Sequence, residues 1–461
     1  MLYKLLCEFT GINQPWGLLT GVRPIKLFRN VSNEQGFEKA KEIFANDYYV
    51  SPEKLNLAVM TEENERKIIE LSKPDSFSLY VGVPFCPSRC SYCSFVMSSI
   101  ERAKKLVDPY ADLLCEEIKL TAEIANKLGL RLETVYFGGG TPALAADRLG
   151  EIIGAIKEHF VITEGIGVEL HPDNVTPDVL RTLKTAGVTK ISIGIQSFQT
   201  KFQSVLGRTS VDISAMKQAL SEVPFETVSM DFIFALPNQT FEDLKADVDA
   251  AFQSGANHVA IYPFIDFTFT PSTVTTMPKK EKRELLDAIT RYCMDQGYTR
   301  SSIWTFSSEA DARYSSMTRD NFLGFGCSAT TLLKDQFKIN TFSVEEYCNR
   351  IAEEKLPTSL TLRFTLRQRM IYYLFWTAYS TKVAAGGFEK FFGVPLKKMY
   401  GAELKLAKLM GFVTEENGVY SMTLKGAFYY HYYENFYTLS YIDKMWGVMR
   451  KEAFPQELTL G

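Results

Sequence analysis

No stretch of this chain is apolar for long enough to cross a membrane. Its start, Met1-Leu2-Tyr3-Lys4-Leu5-Leu6-Cys7-Glu8, turns charged too soon for a signal peptide, so the expected location is the cytoplasm. Net charge is also scarce. Lys and Arg number 51 against 54 Asp and Glu, a balance of −3, and no global basic field suggests nucleic acid or an anionic membrane. There is no low-complexity tract and no internal repeat beyond an alternation of strands and helices. The cysteines at 7, 86, 90, 93, 115, 293, 327 and 348 are scattered apart from one group, which argues against a disulfide framework and for a reduced compartment.

What remains is a soluble, globular composition. With 461 residues, 46% hydrophobic and 23% charged, the chain is long enough for two or three domains. Residues 1–75 read as a small accessory domain with a Gly- and Pro-punctuated loop, Trp16 to Lys26, and helices over 34–46 and 62–71. From 76 to 355 apolar strands alternate with amphipathic helices. The strands are expected at 79–83, 134–137, 167–170, 190–195, 227–234 and 258–263, and a further one near 298–303. Six βα units in a row give an α/β fold built on a parallel barrel or partial (β/α)6 barrel, whose site lies at the carboxyl ends of the strands. The glycine- and hydroxyl-rich stretch 314–329 is expected to form a lid. Residues 356–461 read as a mostly helical, winged-helix-like domain, with helices at 366–379, 396–410 and 425–450 and a hairpin at 412–422. Its acidic hairpin and lack of a dense basic helix argue against DNA. The stripe Phe428, Tyr429, Tyr430, Tyr432, Tyr433, Phe436 and Tyr437 reads as core or interface packing.

The first strand leads into Phe85-Cys86-Pro87-Ser88-Arg89-Cys90-Ser91-Tyr92-Cys93. Three thiols at C-x3-C-x2-C spacing suit three irons of a 4Fe-4S cube, and Phe95 stands where a fourth thiol would serve. A cube so held keeps one iron open for a substrate or cosubstrate. Cys90 and Cys93 alone also fit a redox C-x-x-C pair or half a zinc knuckle. Gly138-Gly139-Gly140-Thr141-Pro142 ends the second strand, where its backbone carbonyls are placed to take an amino group. Glu169, Gln196 and Asp231 lie on the third, fourth and fifth strands, and Arg208 follows in Leu206-Gly207-Arg208-Thr209. Singly each reads as an ordinary polar residue. Together at successive strand ends they read as a site.

Tyr80 through Cys93, the GGGTP loop, Gly-Ile-Gln-Ser-Phe, Leu-Gly-Arg and the Asp231 strand resemble oxygen-independent coproporphyrinogen III oxidase and its relatives among radical S-adenosylmethionine (SAM) enzymes. The Trp16 to Pro24 segment and the ending Tyr441 to Gly447 resemble the HemZ-type, dehydrogenase-like branch. The resemblance implies a radical SAM barrel with Cys86, Cys90 and Cys93 as cluster ligands. It implies SAM held by Gly139, Gly140, Thr141, Glu169, Gln196, Arg208 and Asp231, with Tyr80 beside the cluster and the backbone of Tyr92 against adenine. The implied reaction is oxidative decarboxylation of coproporphyrinogen III propionates to vinyls, with a flavodoxin- or ferredoxin-type reductant. A substrate of four carboxylates needs basic partners. Arg313 and Arg319 are the candidates, with Arg23 behind them.

The sequence departs from the archetype at Phe95, in place of a cysteine, and at Gly82, in place of a histidine. The motif therefore resembles equally the relatives that bind or deliver haem, for which His258 or Cys327 is the expected axial ligand. A different radical SAM enzyme acting on a tetrapyrrole is the remaining alternative.

Overall fold

The computed structural model describes residues 2–19, 24–56, 58–59, 76–96, 98–308 and 321–456. The chain divides into two compact units, Met1–Lys73 with Lys382–Thr423, and Pro74–Thr381 with Leu424–Gly461.

In the first unit, the helices Pro24–Gln35 and Phe37–Asn46 are separated by Gly36. A core of Leu19, Phe28, Val31, Ala40, Phe44, Val50 and Ala58 holds this part together. The expected helix at 62–71 lies outside the described residues. A three-stranded antiparallel sheet, in the order Lys382–Ala384, Val419–Met422, Val413–Glu416, accompanies the helices Ala385–Phe392 and Leu396–Leu409.

The second unit is built on one twelve-stranded sheet. Its strands are β1 (Ser76–Val83), β2 (Arg131–Gly139), β3 (Gly165–Leu170), β4 (Lys190–Gln196), β5 (Thr227–Phe234), β6 (His258–Pro263), β7 (Thr299–Arg300), β8 (Thr305–Ser307), β9 (Phe322–Phe325), β10 (Thr330–Leu333), β11 (Gln336–Asn340) and β12 (Thr358–Arg363). Their spatial order is β12-β11-β10-β9-β1-β2-β3-β4-β5-β6-β8-β7. β1 to β6 are mutually parallel, and β9 joins β1 in parallel. Each crossover from β1 to β6 carries a helix, the arrangement that parallel pairing requires. Those helices include Ile100–Lys127, Ala146–His159, Pro177–Ala186, Ile213–Glu222 and Phe241–Gln253. Buried Val, Ile, Leu and Phe dominate these strands, as expected of a sheet covered on both faces. The result is an open, partial barrel rather than a closed one.

One expectation is corrected here, and another divides between its two alternatives. The stretch read as a lid contains β9, a buried strand beside β1, because Phe322, Leu323 and Phe325 supply core rather than loop. Residues 314–320 of that stretch lie outside the described residues. The aromatic stripe is only partly core: Phe428 is buried, whereas Tyr433 and Phe436 are 56% and 54% exposed.

A buried polar lock ties β9 to β1. Glu117, on Ile100–Lys127, accepts from Gly326 N (2.7 Å), Tyr347 Oη (2.6 Å) and Asn340 Nδ2 (3.3 Å). Tyr110 Oη donates to the Gly82 carbonyl (2.6 Å) and accepts from Cys327 N (2.8 Å). A Cβ at Gly82 would sit 2.8 Å from the Cys327 carbonyl oxygen, so no side chain fits there without displacing the backbone. The close approach of these strands accounts for the glycine where the archetype carries histidine.

Candidate active site

The cysteine loop leaves β1 and is held at both flanks. Phe85–Cys86 pairs in parallel with Ser98–Ser99, closing the loop's base. At its tip, Ser91 N donates to the Leu206 carbonyl (3.3 Å), and Ser91 Oγ donates to the Val205 carbonyl (3.2 Å). Cys93 N turns back onto the Cys90 carbonyl at 3.3 Å. All three thiols are free and partly accessible. Burial pushes the Cys86 thiol up to about 11 against the pull of the Thr141 hydroxyl, and it raises Cys93 as well.

The glycine loop after β2 lies directly against this base. Gly140 N donates to the Val83 carbonyl (2.8 Å) and Thr141 N to the Phe85 carbonyl (2.7 Å). Thr141 Oγ1 is 3.5 Å from Cys86 Sγ. A Cβ at Gly140 would lie 2.5 Å from the Phe85 carbonyl oxygen, which only backbone movement relieves. Gly140→Ala is expected to cost about 1–3 kcal/mol by overpacking and to displace Cys86. Thermal unfolding together with iron uptake on reconstitution checks both effects.

Glu169 closes the far side. Its carboxylate accepts from Tyr136 Oη (2.8 Å) and Gly139 N (3.3 Å). Tyr136 stacks on Tyr80 with ring centroids 6.3 Å apart, and the Tyr80 hydroxyl lies over Gly139. Burial raises Glu169 to about 7, the Tyr136 hydroxyl and Gly139 amide oppose this, and Asp231 adds to the rise. Asp231 sits below the rim, accepting from Ser192 Oγ (2.7 Å) and Ser229 Oγ (3.3 Å), and burial lifts it to about 6. Burial also pushes the Tyr80 and Tyr92 phenols well above their ordinary values.

Arg208 links strand ends to cysteine loop. Its Nη2 and Nε donate to Tyr92 Oη at 2.9 and 3.3 Å, while Nη1 is buried with no partner. Gln196 Nε2 and Arg208 Nη2 lie together over Gly194. Gln196 itself has φ 70°, a left-handed conformation costly for a residue with a side chain and of the kind that gathers at functional sites.

The structure thus brings Tyr80, Cys86, Gly139, Gly140, Thr141 and Glu169 together at one edge of the sheet. Tyr92, Gln196 and Arg208 adjoin them, with Asp231 beneath. Arg23, Arg313 and Arg319 lie outside the described residues. His258 and Cys327 are corrected as haem ligands. His258 begins β6, at the end opposite the mouth, buried and 2.8 Å from Ser229 Oγ. Cys327 is 1% exposed and donates its thiol to the Thr341 carbonyl.

Sequence reasoning passed over two residues, Tyr136 and His171. His171 follows β3 with extended backbone, φ −78° and ψ 146°, so the two-residue period places it on Glu169's face. Its Nδ1 accepts from Asp173 N at 3.3 Å, and burial with the nearby Arg208 charge lowers it to about 4. The strand alternation was the available signal for His171.

The donor set fits a cluster with SAM. Among the described residues no three His, Cys, Asp or Glu side chains close on one ion. A cube whose three thiolate ligands bind separate irons asks for no such point. The buried, unpartnered Arg208 Nη1 and the carboxylate of Glu169 are a donor and an acceptor awaiting a polar ligand.

Residues 80–251 match the Radical SAM superfamily. The chain is 26% identical to the heme chaperone HemW of Bacillus subtilis, across 76% of this chain and 96% of that protein. It is 30% identical to the oxygen-independent coproporphyrinogen-III oxidase-like protein HemZ of Bacillus subtilis, across 52% of this chain and 50% of that protein. Its fold matches coproporphyrinogen III oxidase (HemN) of Escherichia coli, described as a radical SAM enzyme. That match has TM-score 0.67 and 20% identity, and covers 79% of this chain and 91% of HemN. Radical SAM proteins bind a 4Fe-4S cluster and SAM.

Proposed function

We propose that this chain, which carries a radical SAM domain over residues 80–251, is an oxidoreductase that decarboxylates propionates of coproporphyrinogen III. Cys86, Cys90 and Cys93 would hold the 4Fe-4S cluster. Gly139, Gly140, Thr141, Glu169, Gln196, Arg208 and Asp231 would hold SAM, with Tyr80 and Tyr92 beside it. When bound, the cofactors supply a carbon radical able to abstract hydrogen. The single observation that carries the reading is the meeting of cysteine loop, glycine loop and Glu169 at one sheet edge, through Thr141 and Gly139.

The chain's own residues bind and orient. Glu169 is an acceptor for hydroxyls or an amine, Arg208 a donor, and Tyr80 an apolar-sided wall with a polar tip. Each reacting propionate must lose a β-hydrogen atom, CO2 and one electron, the last to an external one-electron acceptor, to become vinyl. Holding that carbon still and excluding water is the protein's part. For the substrate carboxylates we propose Arg313 and Arg319, and for electrons a flavodoxin- or ferredoxin-type donor.

Haem delivery without turnover is the second reading, favoured by the match along 96% of a heme chaperone. One anaerobic assay separates the two. Reconstituted protein receives reductant, SAM and coproporphyrinogen III, and 5′-deoxyadenosine and tetrapyrroles are quantified. Deoxyadenosine with matching vinyl product is the expected result. Full cluster loading with neither product, and haem retained through gel filtration, would overturn the decarboxylase in favour of delivery.

A further inference from the structure

The last described helix, Asp443–Met449, reaches back to the cysteine loop. Its start is pinned where the buried Asp443 carboxylate accepts from Thr268 N (2.9 Å) and Thr268 Oγ1 (2.7 Å). Met445 and Met449 pack with Ile339 and Phe342, and Val96 and Trp446 close over them. Arg450 comes next. Its Nη2 donates to the carbonyl of Ser94, one residue past Cys93. Its guanidinium lies 4.4 Å above the Phe269 ring, and its Nε is buried without a partner.

Two more guanidiniums flank the same loop. Arg89, inside the motif, donates to the Phe269 carbonyl at 3.4 Å. Arg208 donates to Tyr92 on the other side. All three are held by neutral acceptors, two carbonyls and a phenol, and among the described residues none pairs with a carboxylate. Arg89 is exposed and water screens it, whereas Arg208 and Arg450 are half-buried. A cation withdrawn from water without a counter-charge is costly. Burial and the like charge of Arg89 accordingly pull Arg450 below its ordinary value. The loop is thus flanked by three guanidiniums with no carboxylate partner among the described residues, at the place where three thiolates and a cluster would be negative.

We propose that Arg450 is a positioning residue for the iron–sulfur centre, holding the Ser94 end of the loop while its positive charge favours the reduced cluster. The proposal rests on the cluster assignment made above. Adding one electron makes a thiolate-bound cluster more negative by one charge, and a fixed cation in a poorly hydrated setting stabilises that state. Cluster potential is tuned by net charge and exposure, so the effect is readable without turnover.

The test is a redox titration of the full chain, reconstituted anaerobically and followed by EPR and visible absorbance, with iron and sulfide counted per chain. At the potential where the unmodified protein is half reduced, Arg450→Gln is expected to lower the reduced-to-oxidised ratio about tenfold, which is about 59 mV for one electron. Arg450→Lys keeps the charge and should retain most of the potential. Arg450→Gln with full iron and an unchanged potential overturns the proposal. So does iron loss with an unchanged potential in the clusters that remain, since that leaves a mechanical clamp alone. If Arg450→Gln does not fold, Arg450→Met, which keeps an apolar stem over Phe269 and removes the charge, carries the test, with the same loss of reduced cluster expected and an unchanged potential overturning it. An unmodified protein that takes up no cluster overturns the underlying reading instead, before any variant is made.

Discussion

Cys86→Ala, Cys90→Ala and Cys93→Ala are each expected to abolish cluster uptake and reduce 5′-deoxyadenosine to background. The loss should exceed the roughly 10- to 100-fold cost of removing an outer-shell partner of a metal site. The argument is geometric as well as chemical. The cysteine loop has anchors that are not thiols: the Phe85–Ser98 pairing, Ser91 on Val205 and Leu206, and Arg450 on Ser94. Alanine at any of the three cysteines removes a sulfur and leaves those anchors in place, so circular dichroism should match the unmodified protein. Cys115→Ala is the control. That thiol lies on Ile100–Lys127, away from the motif, and its loss should leave iron content and deoxyadenosine formation unaltered. A cysteine variant that keeps a full complement of iron and its activity would remove the cluster from this loop.

The barrel was legible because its strands are short, apolar and bounded by glycine or proline. The expected strands at 227–234 and 258–263 coincide with β5 and β6, and the expected amphipathic helices, among them Pro177–Ala186 and Phe241–Gln253, lie between the strands. β9 to β12 were not legible. β9 reads as loop because Gly324 and Gly326 interrupt it and polar residues precede it, yet it is buried by pairing beside β1, a contact between residues some 240 apart that no local pattern announces. The same long-range closure makes Gly82 intelligible only once Cys327 is seen against it.

At the site, residue types were legible and partnerships were not. Glu169 could be placed at a strand end from sequence. That Tyr136, on the neighbouring strand, holds one of its oxygens needed the register of β2 against β3. The Arg208–Tyr92 pair spans 116 residues and depends on how the loop after β4 folds over the cysteines. His258 failed as a haem ligand although the expected strand 258–263 already began at it, and a site at the carboxyl ends leaves that residue at the opposite end. Strand polarity decides that, and it puts His258 at the bottom and His171 at the top.

Glu169→Gln should make the metal-free protein more stable above neutral pH while weakening SAM binding by about 10- to 100-fold, the usual worth of a hydrogen bond to a charged group. The sign follows from where the proton sits. Burial lifts Glu169 from 4.5 to about 7 and Asp231 from 3.8 to about 6 in the folded protein. Between about pH 4.5 and 7 the folded chain keeps a proton on Glu169 that the unfolded chain has released. That contribution to stability is full below the unfolded value and is lost as pH rises through 7. Above it, a buried carboxylate near a second one costs at most on the order of 3 kcal/mol. Glutamine removes that cost and keeps an acceptor for the Tyr136 hydroxyl, giving up only the longer bond from Gly139 N, so the unfolding midpoint at pH 8 should rise by a few degrees and the gain should vanish by pH 5. SAM binding, read from the change it makes in the cluster's EPR signal, should move the other way. A midpoint that falls at pH 8 would mean the carboxylate is no stored cost. Unaltered SAM affinity would take Glu169 out of the binding site. Both effects together would show a group kept ionisable against the fold's interest because a polar, hydroxyl- or amine-bearing ligand is what finally satisfies it.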